Sequence, residues 1–335
     1  MAVRPAQGRR GSRELRGTGH HRGQHGHQGG ADPHLAGRRP PRHLHLAPPA
    51  RSAGRPQATR GPGPARRGAA PARRGRHLRR DGRAAGEAQE RQVTTPDVRR
   101  HDDADVLVGD VASALLDRLE TAQARGEVPQ IGLTGGSIAE QLHRELARRA
   151  ADSSVDWSRV VFWWGDERFV PRDSPDRNAL QAREALLDHV GVDEANVHEV
   201  PASDEVATAE ESAEAYSAKM RSEGAGFFEV LMLGIGPDGH CASLFPGHPA
   251  LDARDAIAVA VHDSPKPPPD RVTLTFEAMD RCRAVWFIAS GDGKADAVAR
   301  ALAPEGTIAE TPARGVSGDE TVWWLDDAAA SRLPS

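Results

Sequence analysis

The residues with the clearest chemical potential lie in one run, Leu233-Gly234-Ile235-Gly236-Pro237-Asp238-Gly239-His240-Cys241-Ala242-Ser243-Leu244-Phe245-Pro246. Three glycines and a proline shape the backbone closely around a single imidazole, as a loop must be shaped to aim one. Histidine titrates near neutral pH and can take a proton from water. A lone histidine is more often structural, but its place in such a loop after an apolar strand favours catalysis by His240. Ser243 is near in sequence yet lies outside a nucleophile-elbow pattern, so no covalent intermediate is expected. His240, Cys241 and His248 carry zinc-ligand atoms, but neighbours in a turn rarely point at one ion, and no metal site is expected.

A second group is Trp163-Trp164-Gly165-Asp166-Glu167-Arg168, where three charged residues follow an apolar run. Solvated surface charge is the plain alternative. Otherwise Arg168 offers a fixed positive fork to a carbonyl oxygen or a phosphate, and the carboxylates could hold that guanidinium in position. A third is Thr134-Gly135-Gly136-Ser137. At a helix start, unpaired N–H groups, the dipole and the hydroxyl can receive a phosphate over Gly135, Gly136 and Ser137. Ser137 could equally be only a helix cap. The spacing is neither a dinucleotide fingerprint nor a P-loop, so a nucleotide ligand is not supported. Arg271 and Lys294 open or follow later strands; with Ser137 they could form a phosphate clamp, or each could be plain surface charge.

These groups need a frame. From Asp103, with Asp102 or Asp103 as cap, Val108, Val111, Leu115 and Leu119 share one face of a helix. Gln130 to Thr134 reads as a buried strand, and Ile138, Leu142 and Leu146 recur at helical spacing after it. Strands at Val160 to Trp164 and Val230 to Leu233, a helix near Asn178 to His189, and strands at Val272 to Thr275 and Ala284 to Ala289 continue the alternation. A helix near Gly293 to Leu302 and a strand at Thr321 to Leu325 complete it. The pattern predicts an α/β, Rossmann-like fold with a largely parallel sheet and helices on both faces. In such sheets ligands bind beyond the carboxyl ends of the strands, so the loops that follow the strands are where the chemistry is expected.

Composition divides the chain. Residues 1–92 hold 21 Arg, no Lys and 5 acidic residues, a charge of +16, whereas the rest holds 23 basic and 43 acidic residues, a charge of −20. The first segment has no Phe, Trp, Tyr or Ile, and too few apolar side chains to offset the entropy of ordering. It is expected to be disordered. A basic arm could bind nucleic acid through phosphates, but stacking aromatics are missing, which weighs against that partner. A transit peptide fits poorly with so much Gly and Pro. The favoured reading is a start placed too early, with Val93 as an internal start codon. Residues 93–335 are then one enzyme domain. The two cysteines suit a reducing compartment, and no apolar run approaches membrane length, so a cytoplasmic location without membrane partners is expected.

In order, the Gly135-Gly136-Ser137 turn, the Asp166-Glu167-Arg168 triplet, Asn178, the loop ending in His240, and the Arg271 and Lys294 segments resemble the 6-phosphogluconolactonase family. The resemblance runs from about Thr94 to Leu333. It implies hydrolysis of a small sugar-phosphate lactone, 6-phospho-D-glucono-1,5-lactone, to 6-phosphogluconate in the oxidative pentose phosphate pathway, without a cofactor. On that reading His240 activates water, Arg168 stabilises the oxyanion, Asp166 and Asp238 orient these groups, and Ser137, Arg271 and Lys294 hold the phosphate. The related amino-sugar phosphate deaminases and isomerases have a similar histidine loop but not the Asp-Glu-Arg triplet at this place. They are the nearest rival; nucleic-acid binding through the basic segment is a rival of another class.

Overall fold

The computed structural model describes residues 96–334. The 1–92 segment, with the boundary drawn after it, lies outside the described residues. The chain enters through a polar edge strand, β1 (Asp97–His101), and turns into α1 (Ala104–Ala124). Asp103 is the cap, its carboxylate accepting from the Val106 N–H at 2.9 Å. The buried face of α1 includes Val108, Val111, Leu115 and Leu119, the spacing read from the sequence.

There follow β2 (Gln130–Leu133), α2 (Ser137–Arg149), β3 (Val161–Trp164), β4 (Asp166–Arg168), α3 (Asn178–Ala185), α4 (Ala209–Glu223), β5 (Phe228–Leu233), β6 (Ala258–Val261), β7 (Arg271–Leu274), α5 (Phe276–Met279), β8 (Cys282–Ala289), α6 (Ala295–Leu302) and β9 (Glu320–Asp326). Six strands form one parallel sheet in the order β1-β9-β8-β5-β2-β3. Every residue of β2, β3 and β5 is buried, as required of parallel strands covered on both faces. The expected Rossmann-like α/β architecture is the observed one.

The strand at Arg271–Leu274 does not join that sheet. It is the centre of a small antiparallel sheet, β4-β7-β6. The chain leaves the large sheet after Trp164, and Gly165 spans the gap: its N–H donates to Leu133 O at 3.0 Å and its carbonyl accepts from Leu274 N at 2.9 Å. Tyr216 of α4 splints the crossing, its hydroxyl accepting from Trp164 N at 2.8 Å and donating to Trp164 O at 3.0 Å. β3 is an edge strand, so this phenol satisfies backbone groups that no neighbouring strand reaches. α4 rests on the small sheet, and Ser217 Oγ meets Ala258 N at 3.0 Å.

Candidate active site

The chain runs outward from β2 to β3 and later returns to the other side of β2 as β5, so the order reverses between β2 and β5. The loops after these strands part there and leave a crevice at their carboxyl ends. A cleft of about 300 Å³ occupies this place. Gly135, Gly136, Ser137, Asp166, Arg168, His240, Arg271 and Lys294 all line it, drawn from both sheets. Of the residues expected from the sequence, only Asp238 stands behind the lining.

Asp238 acts through His240. Its Oδ1 lies 2.5 Å from His240 Nδ1. Burial raises the Asp238 carboxyl, but the bond and the charge of His240 outweigh it and hold the group at about 2. A carboxylate at Nδ1 fixes the proton there and leaves Nε2 as the basic nitrogen, without a hydrogen-bond partner among the described residues. The loop closes on itself: Gly236 N donates to His240 O at 2.8 Å, and Gly239 N to Gly236 O at 2.9 Å. A Cβ on Gly236 would stand 2.0 Å from His240 Nδ1 and 2.4 Å from Asp238 Oδ1, so only glycine lets the pair form. Phe245 packs against the imidazole with ring centroids 4.6 Å apart. Ala242, next to the dyad, is held at φ 47°, a costly conformation for a residue with a Cβ.

The triplet is arranged otherwise than expected. Neither Asp166 nor Glu167 bonds the Arg168 guanidinium. Asp166 is buried and accepts from Ser243 Oγ at 2.6 Å, tying the small sheet to the histidine loop. Glu167 turns inward to backbone amides. Arg168 is held instead by Asp176 O at 2.9 Å and by Asn178 Oδ1, both through Nη1. Its Nε is buried without a partner among the described residues. Asn178, whose Nδ2 donates to Asp166 O at 2.9 Å, was noticed in the sequence but given no role. A Cβ on Gly135 would lie 1.8 Å from Asn178 Oδ1. Gly135 thus makes room for the asparagine that steadies Arg168.

The opposite rim is cationic. Gly136, at φ 97°, is the N-cap of α2, with no side-chain cap bond, so Ser137 keeps an exposed hydroxyl beside the first free amides of the helix. Lys294 donates to Ile235 O at 2.7 Å, and the loop carrying it is pinned by Asp326, which accepts from Ser290 Oγ at 2.5 Å and from Gly291 N. Arg271 grips Lys266 O at 3.0 Å and Pro268 O at 3.2 Å. Burial lowers the pKa of Arg271, and burial with the nearby Lys266 charge lowers that of Lys294. Lys266 itself lines the cleft and was missed; its one signal in the sequence is a cation in a rigid stretch, Lys266-Pro267-Pro268-Pro269. Among the described residues, four cations against the single carboxylate of Asp166 make the cleft a receptor for an anion.

His248 spends both ring nitrogens on backbone, at His262 O and Ala250 N, and Cys241 is fully buried. Among the described residues no group of three or more His, Cys, Asp or Glu side chains comes together to hold a metal. No helix among them is long and apolar enough to cross a membrane.

Residues 102–324 match the family described as glucosamine-6-phosphate isomerases/6-phosphogluconolactonase. The chain is 43% identical over 250 residues to a 6-phosphogluconolactonase of Streptomyces coelicolor, covering 72% of this chain and 95% of the relative. It is 44% identical over 242 residues to a 6-phosphogluconolactonase of Mycobacterium leprae, covering 69% and 96%. Among solved structures, a 6-phosphogluconolactonase from Trypanosoma cruzi superposes with a TM-score of 0.64 at 28% identity, covering 72% of this chain and 97% of that one.

Proposed function

The chain belongs to the glucosamine-6-phosphate isomerase/6-phosphogluconolactonase family, and from that premise we infer that it hydrolyses 6-phospho-D-glucono-1,5-lactone to 6-phosphogluconate in the oxidative pentose phosphate pathway. The observation that carries this reading is a carboxylate-held imidazole opening onto a cleft with four cations. The first suits the activation of water; the second suits a phosphate and a developing oxyanion.

Water between His240 Nε2 and C1 of the lactone loses a proton to the imidazole as its oxygen bonds to C1. The imidazolium that forms is stabilised by Asp238, already ionised at about 2. Negative charge gathers on the carbonyl oxygen, where Arg168 meets it with the part of its guanidinium that Asn178 and Asp176 leave open. As the tetrahedral carbon collapses, the bond from C1 to the ring oxygen breaks and His240 returns the proton to that oxygen. Ser137, Arg271 and Lys294, with Lys266, hold the phosphate and so set C1 against His240. Asp166 contributes indirectly, by fastening the histidine loop through Ser243. The reading includes a cytoplasmic location and no nucleic-acid partner.

The test is hydrolysis of freshly generated lactone by the full chain, with spontaneous opening subtracted. Turnover lost in His240→Ala supports the proposal. A folded chain with no rate above background, releasing ammonia from glucosamine 6-phosphate instead, would replace it by the deaminase reading.

A further inference from the structure

Glu167 is the one member of the charged triplet that does not line the cleft, and it is 1% exposed. Its Oε1 accepts from the backbone N–H of Arg168 and from that of Asn178, each at 2.8 Å; its Oε2 accepts from Ala179 N at 2.8 Å. Asn178 and Ala179 are the first residues of α3, and the N-cap Arg177 supplies no side-chain cap. A carboxylate from β4 therefore caps α3 across space, where orphan amides and the helix dipole favour negative charge. Behind it lies the Arg177 guanidinium, also 1% exposed and 3.9 Å from Oε2. Arg177 Nη2 donates to Val200 O at 2.6 Å, while its Nε and Nη1 are buried without partners among the described residues.

A buried ion pair with unsatisfied donors is a costly way to cap a helix that a serine or aspartate at 177 could cap from its own chain. The arrangement is explained by what one oxygen joins. Oε1 binds the amides of Arg168 and Asn178 together, and those are the two residues whose side chains meet at the oxyanion end of the cleft. We propose that Glu167 is a positioning residue of the hydrolysis, fixing the backbones of Arg168 and Asn178 against each other so that the guanidinium is presented to the lactone carbonyl. The proposal rests on the hydrolase reading for its reaction, and on geometry alone for the positioning.

Because Arg168 meets charge that exists only during reaction, loosening it lowers kcat and spares KM. Glu167→Gln turns a donor toward a backbone N–H; kcat should fall about tenfold to a hundredfold, the scale of a small misplacement, with KM within about twofold. In an Arg168→Met background the same change should cost less than about twofold, since its effect passes through the missing guanidinium. An equal loss in both backgrounds, or an unchanged kcat in Glu167→Gln, overturns the proposal. Should the single variant fail to fold, Glu167→Gln with Arg177→Met removes both buried charges and is put through the same cycle.

Turnover is not the only readout. The buried Arg168 Nε–H should give an NMR resonance apart from exposed arginines, identified by its loss in Arg168→Met. Collapse of that resonance into the exposed set in the Glu167→Gln, Arg177→Met chain is expected, and its persistence overturns the positioning role. A wild-type chain inactive on the lactone would overturn the reaction assignment, while the resonance would still decide the role of Glu167.

Discussion

Arg168 on β4 and Arg271 on β7 stand directly opposite each other in an antiparallel pair, and both face the cleft. Like charges in that relation destabilise a sheet, and an anion bound between them removes the repulsion. Binding should therefore stabilise the fold visibly. At 100 times its Kd, 6-phosphogluconate should add about 2.7 kcal/mol to unfolding stability, more of its affinity surviving at low salt than at high. Calorimetry with and without the product, across salt, checks this. Arg271→Gln should abolish most of the rise, because it removes a cation and also releases the Lys266 and Pro268 carbonyls.

Lys266 separates binding from chemistry. It lines the cleft from a loop that Arg271 secures, and nothing places it at the reacting carbon. Lys266→Ala should raise KM about fivefold, roughly 1 kcal/mol for one partly exposed charged contact, and leave kcat within about twofold. His240→Ala should do the reverse, lowering kcat about a hundredfold or more with little change in KM. Steady-state kinetics of the two variants side by side test the division; a fall in kcat for Lys266→Ala would move that lysine into the reacting centre.

Five strands of the large sheet were legible because they are continuous apolar runs, and its first helices carry large side chains at helical spacing; the edge strand β1, Asp-Val-Arg-Arg-His, is too polar to have announced itself. The small sheet was not. β4 is three charged residues, and β6 is Ala-Val-Ala-Val, too short to announce itself. α4 was overlooked because its buried face is Ala209, Ser212, Ala213, Tyr216 and Ser217, mostly small side chains that leave no apolar stripe. Its start did carry a signal, Thr208 followed three residues on by Glu211. Thr208 caps through Glu211 N, and the Glu211 carboxylate reaches back to Ala207 N. In the site, residue types and loop positions marked His240, Arg168, Ser137 and Lys294, because chemistry constrains them. Which partner holds which group was not readable: Asp166 takes Ser243 and leaves Arg168 to Asn178, a pairing set by how two sheets meet.

That meeting depends on one phenol. Tyr216 is the only tyrosine in the chain, and its hydroxyl serves both the N–H and the carbonyl of Trp164 just before the chain changes sheets. Tyr216→Phe leaves two buried backbone groups unsatisfied and should cost about 2 to 4 kcal/mol in denaturant unfolding. Because Asp166 and Arg168 follow directly, kcat should also drop, while a distant core change of equal cost, such as Leu115→Ala, should leave kcat unaltered. Equal kinetics in the two variants would show that the splint serves stability alone.

His143 of α2 gives the fold a defined weakness in acid. It is 3% exposed, and burial pushes its pKa from 6.5 down to about 4. Between those values the unfolded chain holds a proton that the folded chain does not, so stability is complete above about pH 6.5 and is lost as pH falls toward 4. The slope approaches about 1.4 kcal/mol per pH unit, near 3 kcal/mol over the interval. His198, lowered by burial and by Lys219 against the pull of Glu223, acts in the same direction. The contribution of His143 is isolated by difference. Denaturant unfolding of the wild-type chain and of His143→Leu at pH 7, 5.5 and 4 should show the variant losing less stability across the series, and parallel losses would assign the acid sensitivity to other groups.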